Sequence, residues 1–210
     1  MTRPLLIESH FLPSLEFFCA IGPYSSVMLE AHEHYVKQTY RNRCYVLAVR
    51  GPQRLTVPLT GKGGKVLMKD VRIDYTLRWQ ANFWRTLRSA YAKAPFFEHY
   101  GDDLHTILYS KEIFLFDLNH RLLSMCLNWL RWKKDLTNSP GYQDEPSPSD
   151  FRNVINDTPD FTKRGFYTPV SYQQVFGKAF VPNLSLLDLV SCTGPDAGRI
   201  LSASSVSVNK

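Results

Sequence analysis

The hydrophobic pattern changes character near Thr76. Before it, apolar residues fall in short runs separated by turn residues; after it, they recur at three- and four-residue steps. "PLLIESH" near the N-terminus reads as a strand, and "SSVMLEA" reads as a second. Between them, "LPSLEFFCAIG" has a serine before its apolar residues and a glycine after them, the marks of a short capped helix. "RCYVLAVRGPQRLTVPLT" reads as a β-hairpin whose turn is "GPQ". "GGKVLMKDVRIDY" predicts two further short strands around Lys69–Asp70.

In the second half, Trp79, Phe83, Leu87, Ala90 and Tyr91 share one face of a helix that Pro95 ends. A shorter helix follows in "PFFEHYGDDLHTILYS". The longest is expected in the very apolar "KEIFLFDLNHRLLSMCLNWLRWKKD". Residues 136–164 are rich in Pro, Ser, Asp and Asn and read as a long loop or lid. "NLSLLDLV" and "GPDAGRIL" predict two short helices before a frayed tail. The expected fold is α+β or α/β: an N-terminal mixed sheet with a hairpin, then packed helices, in one domain over residues 1–205.

Composition supports a core of useful size, since 44% of the 210 residues are hydrophobic and 13% are aromatic. No run of about 18 apolar residues predicts a membrane span. The first residues lack the apolar stretch of a secretory signal, so a cytoplasmic location is expected. Cys19, Cys44, Cys126 and Cys192 are far apart and form no CxxC pair, which fits free thiols better than a disulfide or zinc framework.

The net charge of +6 is unevenly spread. Residues 35–93 hold thirteen Lys or Arg and two acids, Asp70 and Asp74, a local net of +11; the rest holds 12 basic and 17 acidic residues. Such a segment attracts anions. Within it, "HEHYVKQTYRNRC" places Tyr35, Lys37, Asn42 and Arg43 between two predicted strands. Two cations with a phenol and an amide suit a phosphate, a pyrophosphate or a carboxylate. Against this stands a plain exposed loop. His32 and His34 would share a face in extended chain, but without a third ligand nearby they suit hydrogen bonding better than a metal site, and no metal is expected. No GxSxG, Walker A or GxGxxG motif is present, and the sequence names no cofactor.

"HFLPSLEFF", "YVKQTYRNRC", "GPQRLTVPL", "FWRTLRSAYAKAPFF" and "PNLSLLDL", in this order and spacing, resemble the WbqC-like family of bacterial proteins. The resemblance covers most of the chain. Its recurring positions are Pro13, Tyr35, Lys37, Asn42, Arg43, Pro58, Trp79, Tyr91, Pro95 and Phe96. Many members carry Gln-Pro where this chain has Ser9-His10. The resemblance implies a role in surface-polysaccharide metabolism, including O-antigen, and a suggested transfer of an acyl or aminoacyl group to a sugar.

These readings together predict a transferase that binds an anionic activated donor, such as a nucleotide-sugar or an acyl or aminoacyl donor. Lys37 and Arg43 would neutralise its charge, and Tyr35 and Asn42 would orient it. Trp79 or Tyr91 would stack on a ring, and His10, His34 or Lys37 would move the proton. A non-enzymatic binding or scaffold role is the alternative. Nucleic-acid binding is a third reading, disfavoured because no recognisable nucleic-acid motif is present.

Overall fold

The computed structural model describes residues 4–61, 65–144, 147–158 and 160–206. Residues 62–64 of the "GKGG" segment, 145, 146 and 159 of the Pro/Ser-rich segment and the tail from 207 lie outside the described residues. The chain opens with a strand–helix–strand unit: β1 (Leu5–Glu8), α1 (Leu15–Ile21) and β2 (Ser26–Glu30). β1 and β2 pair in parallel, with Glu8 opposite Glu30. Leu5, Ile7, Val27 and Leu29 are fully buried, as expected where crossover elements cover a parallel sheet.

The antiparallel hairpin is separate from this sheet. β3 (Arg43–Ala48) pairs with β4 (Gly51–Thr56), Ala48 opposite Gly51. Val49 and Arg50 therefore make the turn, and the expected turn residues Gly51, Pro52 and Gln53 begin β4 instead. Gly51 has φ 106°, which glycine adopts without cost. Proline is tolerated in β4 because a two-stranded sheet consists of edge strands. Among the described residues, the two strands expected before Tyr75 are absent. A 3₁₀ turn at Met68–Asp70 stands there, flanked by the isolated bridges His34–Leu67 and Leu59–Ile73. Met68 N–H donates to Glu33 O and Lys69 N–H to Ala31 O. These backbone bonds run to a different segment from those of Ile73, so no ladder forms.

Helical spacing holds in the second half. α2 (Trp79–Tyr91), α3 (Phe97–Leu108) and α4 (Leu115–Trp129) bury the faces their periodicity predicts. A third parallel strand, β5 (Asp135–Asn138), follows on the far side of β2. It occupies the start of the expected loop. The chain is thus α+β, with parallel and antiparallel pairing both present and helices after them. α5 (Leu186–Thr193) and α6 (Ala197–Ser204) close the fold. Asp188 of α5 accepts from Tyr91 Oη at 2.8 Å, Tyr172 Oη at 2.7 Å and Gln174 Nε2 at 3.0 Å. Gly194 must lack a side chain, since a Cβ would lie 2.6 Å from Phe96 Cδ1.

Residues 147–158 and 160–164 form a strap across the open side of β1. Leu6 N–H donates to Ser149 O and Phe151 N–H to Leu6 O, both at 2.8 Å. The strap is fastened by ion pairs to glutamates beneath it. Arg164 grips Glu16 with two bonds of 2.7 Å. Arg152 bonds Asp150 and reaches Glu30 at 3.1 Å. Asn153 N–H donates to Glu8 Oε2 at 2.8 Å, and Asn153 Oδ1 accepts from Arg41 Nη2 at 2.8 Å. Arg41 itself holds Glu33 through Nε at 2.7 Å and Nη2 at 2.6 Å.

Removing one partner of a buried pair leaves the other charge uncompensated. Arg41→Met should therefore destabilise the fold by roughly 3–5 kcal/mol in a denaturant titration, whereas substitutions of exposed residues away from such contacts stay within about 0.5 kcal/mol. Glu8 gives a pH signature. Burial would raise its carboxyl, but the His10 hydrogen bond and the charges of His10 and Arg41 hold it below the ordinary value of 4.5. Ionised Glu8 thus stabilises the fold above that value, and the contribution is lost as pH falls through the lowered native value. Glu8→Gln should flatten the acid limb of stability against pH.

Candidate functional site

An open hollow of about 420 Å³ lies where the chain between β2 and β3 meets the segments that follow β4. Short local ties shape it. Tyr35 N–H donates to Val66 O at 2.9 Å, Val57 N–H to Asn42 O at 2.8 Å, and Thr60 N–H to Arg72 O at 3.0 Å. Tyr35, Lys37, Asn42 and Arg43 line it, joined by Gln38, Asp70 and Arg72 and by the apolar Val57, Pro58, Leu59 and Val71.

Four of the eight candidate side chains thus meet in one place. Asn42 donates through Nδ2 to Val57 O at 2.9 Å, while its Oδ1 is buried without a hydrogen-bond partner among the described residues. Arg43 reaches Asp157 through Nη1 at 3.3 Å, and its Nε is likewise buried without a partner among the described residues. Asp157 also accepts from Tyr45 Oη at 3.3 Å. Lys37 is exposed and has no ion-pair partner among the described residues. Burial pushes the Tyr35 phenol up, against the charges of Arg43 and Arg41, so it stays protonated at neutral pH. The hollow therefore offers cations and a neutral phenol.

The other four candidates lie elsewhere. His10 is buried, bonded through Nε2 to Glu8 Oε1 at 3.0 Å, with Nδ1 unpartnered and the rings of Phe17 and Tyr40 beside it. His34 is exposed and tied by its backbone to Leu67. Trp79 packs in the core against Tyr75 and Phe83. Tyr91 is fully buried, donating to Asp188 and accepting from Leu47 N–H at 3.0 Å. None of these four lines the hollow. His32 Nδ1 lies 3.3 Å from Ser139 Oγ. Among the described residues, no group of three or more His, Cys, Asp or Glu side chains is placed to hold a metal.

Arg72, Gln38 and Asp157 were not singled out from the sequence. The excess of positive charge marked the region of Arg72 without distinguishing it from neighbouring cations. Asp157 carried no local signal, because it is 114 residues from Arg43. The cysteines are all free. Burial pushes Cys19 up to about 11 and Cys192 up to about 12, and raises Cys44 and Cys126 further. None is a ready thiolate nucleophile at neutral pH.

Fold and site together define an α+β protein that carries a cation-lined hollow beside a strapped parallel sheet. The chain belongs to the WbqC-like protein family, whose match runs over residues 8–153. It is also similar to the uncharacterized protein Rv1507c of Mycobacterium tuberculosis, with 29% identity over 145 residues, 68% of this chain. The match spans 62% of that relative's length. No solved structure matches the chain significantly. Among the described residues, no helix is long and apolar enough to cross a membrane.

A thiol-specific chromogenic reagent checks the cysteine chemistry. Native protein at neutral pH should react far more slowly than unfolded protein at all four positions.

Proposed function

We propose that the hollow binds an anionic activated substrate, a nucleotide-sugar or an acyl or aminoacyl donor, for group transfer in bacterial surface-polysaccharide metabolism. The observation that carries this reading is the gathering of Lys37, Arg43 and Arg72 around one hollow together with Tyr35 and Asn42. Arg43 supplies charged donors, so the ligand should carry negative charge. Lys37 and Arg72 add charge at the rim, and the apolar wall suits a nonpolar part of the same ligand. Tyr35 acts as a neutral donor. The free thiols accord with the reducing conditions of a cytoplasm.

Proton transfer within the hollow falls to Lys37 or Tyr35, because no histidine lines it. That same feature favours a second reading: a binding protein that holds the anion without chemistry. The two differ in one measurement, appearance of a transferred product during prolonged incubation with donor and sugar acceptor.

Binding is tested first by thermal shift with nucleotide-sugars, aminoacyl adenylate analogues and oligonucleotides, since a ligand that binds only the folded state raises the midpoint. Lys37→Ala should keep the unliganded midpoint and weaken binding about tenfold, the effect of one lost charged hydrogen bond. Asn42→Asp, which puts a negative charge against an anion, should weaken it further. Unchanged affinity in both variants would reject the hollow as the binding site.

A further inference from the structure

A second cavity, of about 440 Å³, lies on the helical side of the molecule and shares no lining residue with the hollow. It is set between the start of α3, the end of α4 and the chain leading into α6. Its volume lies within the roughly 300–1,000 Å³ of small-ligand clefts. Two aromatic rings form a corner within it. Tyr100 and Trp129 have centroids 5.2 Å apart and planes inclined at 65°. Trp129 Nε1 donates to Asp103 Oδ2 at 3.0 Å, which orients the indole and leaves its ring half-buried.

Polar groups surround this corner. The Tyr100 ring is buried, yet among the described residues no protein group bonds its hydroxyl. Burial raises that phenol and the charge of Arg131 lowers it, and both residues line the cavity. Arg131 is exposed and has no carboxylate partner among the described residues. His99 and Asn128 complete the polar lining.

Arg131 also occupies an unusual backbone position. It follows the last turn of α4 with φ 55°, and Trp132 N–H closes the helix end by donating to Leu127 O at 2.9 Å. Glycine is the residue that suits this left-handed place. The helix end therefore gives no local reason for an arginine, whose side chain lines the cavity.

We propose that this cavity is a binding site for an acidic sugar residue, a pyranose bearing a carboxylate. The C–H face of the ring would pack against the Tyr100–Trp129 corner. The carboxylate would take the Arg131 guanidinium, whose forked donors match two carboxylate oxygens. The hydroxyls would meet Tyr100 Oη, His99 and Asn128, which can both give and accept hydrogen bonds as sugar hydroxyls do. A phosphate alone would leave the aromatic corner unused, and a purely apolar ligand would strand the guanidinium.

The test is an NMR titration of the intact protein with the methyl glycoside of glucuronic acid, following the Trp129 indole N–H, identified by its loss in Trp129→Phe. The uronate should shift that resonance, with methyl glucoside at least about tenfold weaker, as expected for loss of a charge-assisted bond. Arg131→Gly should weaken uronate binding by the same factor while raising the thermal midpoint, because it relieves the left-handed backbone. Loss of binding in a more stable protein cannot be ascribed to misfolding. Lys37→Ala should leave the response intact, which keeps this site separate from the hollow. No shift with the uronate, an equal shift with methyl glucoside or with acetate, or full binding in Arg131→Gly would each overturn the proposal.

Discussion

Four glutamates with almost no access to water, Glu8, Glu16, Glu30 and Glu33, set the terms for this fold. Two of them end adjacent parallel strands in register, so their charges face the same crowded edge of the sheet. Buried carboxylates persist only with partners that meet them in good geometry. The partners come from distant chain: Arg152 is 122 residues from Glu30, and Arg164 is 148 residues from Glu16. The ionic lattice thus ties residues 147–158 and 160–164 to the glutamates of the sheet and of α1. An apolar replacement of similar shape is commonly no less stable than such a buried pair, so the lattice is not by itself a measure of stability.

The hollow is built outward from the same lattice. Arg41, Asn42 and Arg43 are consecutive. Arg41 turns inward to Glu33, Asn42 bridges to Val57, and Arg43 reaches Asp157 while lining the hollow. Placement of the groups that line the hollow therefore inherits the rigidity of an enclosed ion pair one residue away. The carboxyl ends of parallel strands are the usual ligand site in α/β sheets. Here that place is filled by the protein's own arginines, and the cavity is displaced to the side, against the segments that follow the hairpin.

Much of the architecture could be read from local pattern. Three- and four-residue spacing located α2, α3 and α4, and the alternating runs around Val46 and Leu55 located the hairpin. β5 escaped notice because "DLTN" has one apolar residue and pairs only at its partner's edge. The hairpin turn was misplaced because Gly-Pro usually signals reversal, whereas Ala48–Gly51 pairing moved it to Val49–Arg50. Tyr35, Lys37, Asn42 and Arg43, close in sequence, line one hollow. Trp79 and Tyr91 show the limit of that reasoning: aromatics on a helix face have the same spacing whether they meet a ligand or the core. Contacts across a hundred residues or more, such as Arg43–Asp157, leave no local trace.

The strap carries one further implication. β1 reads Leu-Leu-Ile-Glu, and its outer edge is capped by the parallel bridge at Asp150. An uncovered apolar strand edge is a template on which another chain can add a strand. The arginines that fasten residues 147–164 thus also guard the sheet against self-association. Their loss would surface first as oligomers seeded at β1, before any change in the helices.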